Sequence, residues 1–236
     1  MILRRVIAHV RKQEWTAIAI DFVIVVAGVF VGIQVSNLNA ARLERHASRV
    51  IIVNLYADYA ATVREESARE DAHAAALAAI DALLADMRSP TLPSTGAELA
   101  SRMAQVFEFP PAAGLPVTQE EITSSGQFNL ITDPALRSML AAHAQRVREA
   151  GLGEQARREF LRPYAEPVFR CLMLLLQDYP PEQALSIAGG RDEIRIGLEA
   201  AKVVFESEKA ESASSMQGAK AVLQRLSEER DKRSDR

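Results

Sequence analysis

Residues Trp15–Val35 read WTAIAIDFVIVVAGVFVGIQV, and only Thr16, Asp21 and Gln34 among them are polar. At about 1.5 Å rise per residue, a helix of these 21 residues crosses a hydrocarbon layer of roughly 30 Å. The run Phe22–Ile33 is apolar without a break. A helix of this length in the core of a water-soluble domain would carry a polar stripe, and this one has almost none. The stretch predicts a transmembrane helix over 15–36, which the chain-wide averages conceal. A mean hydropathy of −0.04 and 48% hydrophobic residues describe a soluble protein only because an apolar span is averaged with a polar remainder. Charge divides the same way. The first 14 residues carry Arg4, Arg5, Arg11 and Lys12 against Glu14, a net +3, so the other 222 carry −6 to give the overall −3.

A cleavable signal peptide is the competing reading of the same start. Cleavage after Ala40 or Ala41 would place Leu38 or Asn39 three residues before the cut, where a small side chain is required, so a retained signal anchor is expected. Upstream, residues 2–12 (ILRRVIAHVRK) are two-sided. Ile2, Leu3, Val6, Ile7 and Val10 share one helical face and Arg4, Arg5, Arg11 and Lys12 the other. That pattern fits a helix in the headgroup plane with its basic side chains on anionic lipid, or ordinary basic flanks of a span. The basic groups before the span slightly outnumber Arg42, Arg45 and Arg49 after it. With the usual short basic N-terminus ahead of a long translocated domain, this predicts a cytoplasmic N-terminus and a periplasmic bulk, on a bacterial inner membrane.

Asp21 is costly inside a span unless it is shallow or shielded. At 100° per residue, Asp21, Val25, Gly28 and Gly32 fall within an arc of about 60°. The Gly-x-x-x-Gly spacing lets two helix backbones approach closely, so this face is a candidate helix–helix contact in the membrane. The partner would be a second copy or another membrane protein. The competing reading is chance spacing and a self-hydrating acid near the membrane surface.

Beyond the span, period-two alternation is missing and the chain reads as helical throughout, giving an all-α protein in which the anchor continues into a long-helix antiparallel bundle, coiled-coil-like, over 37–236. A first long helix is expected over about 39–88, with Ile52, Tyr56, Tyr59, Val63, Leu77, Ile80, Leu84 and Met87 on its seam and Glu66 and Glu70 in phase at a charged centre. A last one, over about 191–232, repeats the design: Ile194, Leu198, Ala201 and Phe205, then Glu208 and Ser212, then Ala219, Val222 and Leu226. Paired antiparallel, Ile52 meets Leu226 and Met87 meets Ile194 in one register, which also brings the polar centres together. That centre is a solvated face or a register-setting layer, with a ligand site as the alternative.

Shorter helices lie between. Ser94 or Thr95 caps one running to Phe107; Asp133-Pro134 opens another, burying Leu136, Leu140, His143 and Val147 and stopping at Gly151. Glu154–Asp178 is interrupted by Pro163 and Pro167, and its Val168–Leu176 run is the expected core of this domain. Ser124, Ser125 and Gly126 read as a helix-ending turn ahead of buried Phe128, Leu130 and Ile131, or as the lip of a partner site.

Chemistry is not legible. His9, His46, His73 and His143 are scattered, and the motifs of zinc proteases, serine hydrolases, P-loop and dinucleotide-binding proteins are missing. His143 reads as a core histidine, lone Cys171 as an inert buried thiol, and Arg157-Arg158 as part of a solvated face. With 6% aromatics and no excess positive charge, a nucleic-acid partner is not expected, nor a cofactor, a metal or an enzymatic activity. Membrane lipid is the expected partner.

Two stretches resemble a bacterial family known only as a domain of unknown function. One is the acid-led span ending in Gly32, Gln34, Asn37 and Asn39; the other is Pro116–Arg137 (PVTQEEITSSGQFNLITDPALR), with Ser-Ser-Gly before a Leu-Ile pair and an Asp-Pro helix start. The likeness covers about the first 65 residues and 115–170. It departs at Leu38, where the family often has tryptophan. The resemblance implies a single-span membrane protein with a helical extramembrane domain, and no activity.

Overall fold

The computed structural model describes residues 15–108, 110–111 and 113–234. These form six α-helices: α1 (Trp15–Arg88), α2 (Gly96–Val106), α3 (Val117–Ser124), α4 (Pro134–Leu175), α5 (Pro181–Ile187) and α6 (Arg191–Ser234), with a 3₁₀ turn at Gln127–Leu130 between α3 and α4. No strand occurs among the described residues. The chain divides into two units, Met1–Val50 and Ile51–Arg236.

Helix α1 is continuous across the boundary between the expected span, 15–36, and the expected first long helix, 39–88. Between Gly32 and Ser89 the chain contains neither glycine nor proline, so nothing interrupts the ladder of backbone hydrogen bonds. In the first unit, every side chain from Phe22 to Ala40 is exposed. This is the one helix among the described residues long and apolar enough to cross a membrane, with a mean hydropathy of 1.8 over a window that is 0% buried.

In the second unit, α1 buries Ile52, Leu55, Tyr59, Thr62, Glu66, Arg69, His73, Ala76, Ile80, Leu83 and Met87, at steps of alternately three and four residues. Of the expected seam, Ile52, Tyr59, Glu66, Ile80, Leu84 and Met87 are buried, whereas Tyr56, Val63, Glu70 and Leu77 are only half-buried. Helix α6 buries Ile194, Leu198, Ala201, Phe205, Glu208, Ser212, Ala219, Val222 and Leu226, as its spacing predicts. The two helices meet antiparallel in the expected register. Ser212 Oγ donates to Glu66, and the His73 ring packs edge-on against Phe205, 5.8 Å between centroids.

Helix α4 overturns two expectations. It continues through Gly151 and Gly153 to Leu175, because neither glycine adopts a positive φ and the helix has α6 to pack against. A glycine inside a helix costs only about 1 kcal/mol, which packing offsets. The Val168–Leu176 run contributes only one face to the core: Val168, Cys171, Leu172 and Leu175 are buried, while Phe169, Met173 and Leu176 are exposed. Likewise Val147, Phe128 and Leu130 are half-buried, and only Ile131 of that last group is fully enclosed. Opposite the Pro163–Pro167 segment, a methyl group on Gly197 would overlap the Tyr164 carbonyl oxygen and lie 2.8 Å from Val168 Cγ2. Glycine there lets the backbone of α6 approach the backbone of α4.

Local signals fix the shorter elements. Thr95, not Ser94, caps α2, in a reciprocal capping box with Glu98. Ser94 instead donates to Asp86, which Arg102 also reaches at 3.0 Å. Asp133 caps α4 through the Ala135 amide and takes a 2.6 Å hydrogen bond from Arg225 of α6.

The interior has two apolar clusters. One gathers Ile52, Leu55, Ile122, Leu136, Leu140, Val222 and Leu226; the other gathers Ile80, Leu83, Leu99, Met103, Leu172, Leu198 and Phe205. On α1, α4 and α6 alike, the residues between the two clusters are polar.

Candidate functional site

A buried polar layer separates the two apolar clusters, built from Thr62, Glu66, Arg69 and His73 of α1, His143, Arg146 and Arg157 of α4, and Glu208, Glu211, Ser212 and Ser215 of α6. Its centre is the Glu66 carboxylate, 1% exposed. Oε2 accepts from Ser212 Oγ at 2.7 Å, Oε1 accepts from Ser215 Oγ at 3.0 Å, and Arg69 Nη1 lies 3.9 Å away. A buried carboxylate survives only when it is paired and hydrogen-bonded, and this one is both.

Two turns further along α1, His73 is fully enclosed with Nδ1 4.0 Å from Glu208 Oε2. Burial, with Arg69, Arg157 and Lys209 nearby, lowers the pKa of its ring to about 4. Glu208 is shifted the opposite way: burial raises its pKa, while Arg157 and Arg69 oppose the shift. Burial therefore disfavours the charged form of both groups. Arg157 Nε donates to Glu208 at 3.4 Å and its Nη2 to Glu211. Arg157 is therefore a tie between α4 and α6 and not part of a solvated face; its neighbour Arg158 does face solvent, paired with Glu154.

At the other edge of the layer stand Tyr59, Gln119 and His143. Pro116 offers α3 no side-chain cap, and Asp58 supplies one from α1 by accepting from the Thr118 amide at 2.9 Å. That contact sets Gln119 beside Tyr59. Gln119 Nε2 donates to the Leu140 carbonyl at 2.7 Å, so its Oε1 accepts the Tyr59 hydroxyl proton. Tyr59 has one proton to give. His143 Nδ1, 3.1 Å from the same hydroxyl, must then carry its own proton and donate it. Burial and Arg146 lower the His143 pKa to about 4.

Among the described residues, five buried polar atoms have no hydrogen-bond partner: Arg69 Nε, both ring nitrogens of His73, His143 Nε2 and Arg146 Nε. All five lie in this layer. The Arg146 guanidinium rests on the bare Cα of Gly218, where a side chain would collide with it.

The arrangement performs two physical tasks. It fixes register, because sliding α6 by one heptad would set Glu66 against Phe205 or Ala219 and strip it of its serine donors. It also encloses titratable groups whose charged forms burial disfavours. Cys171 takes no part: it is buried among apolar side chains, which raises its thiol pKa to about 11.

The residues singled out by sequence reasoning are dispersed. Gly28 and Gly32 have no atom within 4 Å of where a Cβ would stand, and Val25 is exposed. Arg4, Arg5, Arg11 and Lys12 lie outside the described residues, as does the side chain of Asp21. Ser124 and Ser125 both donate to the Glu121 carbonyl, and Gly126 has φ +73°, so this segment is a helix-ending turn. Missed were Arg69, His73, Arg146, Arg157 and the Tyr59–Gln119–His143 contact. Continuing the three-four alternation from Ile52 and Leu55 would have reached Arg69 and His73. Compared with family models, curated proteins and solved structures, the chain matches none of them.

Proposed function

We propose that this is a single-pass, membrane-anchored helical protein that works by interaction or scaffolding, associating through the Asp21–Val25–Gly28–Gly32 face of its span. The supporting observation is the apolar first part of α1, whose side chains are exposed from Phe22 to Ala40. Apolar surface of that extent is stable only when something other than water covers it, and lipid is the cover its length fits. The partner in the membrane is a second copy or another membrane protein; the domain from residue 37 onward faces the periplasm of a bacterial inner membrane. Gly28→Leu with Gly32→Leu is expected to weaken crosslinking in membranes, and unchanged crosslinking overturns the association. A C-terminal reporter active only in the periplasm is expected to be active; activity of its cytoplasmic counterpart overturns the orientation.

One observation favours a second reading, a ligand-sensing outer domain that acts through a partner. The unpartnered polar atoms of the buried layer belong to α1 and α4, where occupancy would alter the packing of the helix that leads to the span. A small polar compound that raises the full chain's melting temperature, and fails to do so in an Arg69→Met variant, supports this reading. No shift across a broad panel counts against it.

A further inference from the structure

We infer that Arg42, Arg45, His46 and Arg49 form a binding stripe for the headgroups of anionic phospholipids; this rests on the membrane-anchored reading above. Helix α1 is unbroken through this segment, so their angular positions follow from helix geometry. At 100° per residue the four fall within an arc of about 100°, and all four are exposed. Glu44, the one acid between Asp21 and Asp58, stands on the opposite side. Among the described residues no carboxylate forms an ion pair with the three arginines, so their charge is not neutralised within the chain's described part.

The direction of the side chains matters as much as their charge. A helical side chain leans toward its own N-terminus, which here is toward the span. Arg45 shows it, with Nε donating back to the Ala41 carbonyl at 2.9 Å. Arg42 lies about 10 Å of helix beyond Val35. The headgroup layer extends roughly 5–8 Å past the hydrocarbon and its field about a Debye length further. Arg42 and Arg45, leaning back, reach that layer, and Arg49 stands at the edge of its field. A guanidinium is the side chain best shaped for a phosphodiester, which it can bind through two parallel N–H donors. The stripe selects lipids with net negative charge over zwitterionic ones, because in the latter a choline or ethanolamine cation offsets the phosphate.

The test is the relative association of spin-labelled phosphatidylglycerol and phosphatidylcholine with the full chain, reconstituted in phosphatidylcholine bilayers at low salt. Phosphatidylglycerol is expected to be preferred, by about fivefold for each arginine at the surface. The variant R42Q/R45Q/R49Q is expected to lose most of that preference with its helix content unchanged, and R42K/R45K/R49K to retain part of it. A companion variant, R4Q/R5Q/R11Q/K12Q, reports the share due to the other flank. If it abolishes the preference while R42Q/R45Q/R49Q leaves it intact, the inference is overturned. Loss of the preference to inorganic phosphate beyond that caused by chloride of equal ionic strength would assign the stripe to free phosphate and likewise overturn it. A chain that never enters the bilayer refutes the anchoring itself.

Discussion

The two parts of α1 are continuous in backbone and opposite in environment. From Phe22 to Ala40 the helix exposes every side chain, with Phe22 68% and Val25 64% accessible. From Ile52 to Met87 it buries a residue at every third or fourth step, and some of those residues are charged. Hydrophobicity alone does not predict burial within the fold: the most apolar part is bare, and Glu66 and His73 are enclosed. What separates the parts is pattern. A stripe needs a protein partner, whereas a cylinder apolar on all sides needs a solvent that is itself apolar.

The largest expected difference between the parts comes from shortening side chains. Leu83→Ala or Phe205→Ala should lower the stability of the second unit by about 3–5 kcal/mol, since both side chains are fully buried. Val29→Ala in the first part should leave the same thermal transition in place. Equal losses at both sites would erase the distinction.

The polar layer sharpens it next. Glu66→Ala leaves Arg69 buried without its anion and Ser212 and Ser215 without their acceptor, at a cost of roughly 3 kcal/mol. Replacing Glu66, Arg69, His73, Glu208 and Ser212 together with apolar residues should leave the melting temperature unchanged or raise it. That variant should lose its single register, and bismaleimide crosslinking would read the loss. Cysteines at Asp81 and Lys202, which pair at 2.7 Å, should crosslink in the parent chain. In the apolar variant, cysteines displaced by one heptad should crosslink as well.

Acid should act on the layer and spare the span. Unfolded histidines take up protons near pH 6.5, whereas folded His73 and His143 do so only near pH 4. The unfolded state therefore binds more protons within that window, and stability falls as pH drops through it. Glu208 works the other way, because its raised pKa favours proton uptake by the folded state and softens the loss. A net loss on the order of 3 kcal/mol between pH 7 and pH 4.5 is expected in denaturant titrations. His73→Gln with His143→Gln should flatten the profile.

The smallest effects separate two glycines. Gly197→Ala should destabilise by about 1–3 kcal/mol through its clash with the Tyr164 carbonyl. Gly151→Ala, in open space inside a helix, should stabilise by about 0.5–1 kcal/mol, and paired melting curves would resolve the opposite signs.

The all-α class, the antiparallel pairing of α1 with α6 and its register were legible in the sequence because apolar residues at three-four spacing bracket a polar centre on both helices. The α6 seam was read residue for residue. On α1 the seam was read correctly at Ile52, Tyr59, Glu66, Ile80, Leu84 and Met87 but not between them, because Tyr56, Val63 and Leu77 are apolar enough to imitate the seam while Arg69 and His73 are too polar to suggest it. Gly151 looked like a stop because local propensity was read without the tertiary packing that overrides it. The partners of the layer could not be read at all. Arg157 and Gln119 reach it from elements distant in sequence, and no local pattern records such a contact. Asp58 does the same as a cap, serving a helix that begins nearly sixty residues later.

Cysteine accessibility along α1 in native membranes tests the central claim most directly. Ala27→Cys and Phe30→Cys should resist a membrane-impermeant maleimide, while Leu43→Cys and Val53→Cys react once the reagent reaches their side of the membrane. Native Cys171 should stay silent, being buried with its thiol pKa raised to about 11. Solubilisation in detergent should not make Cys171 reactive. Labelling of positions 27 and 30 as fast as 43 and 53 in intact membranes would show water around the first part of α1 and contradict the account.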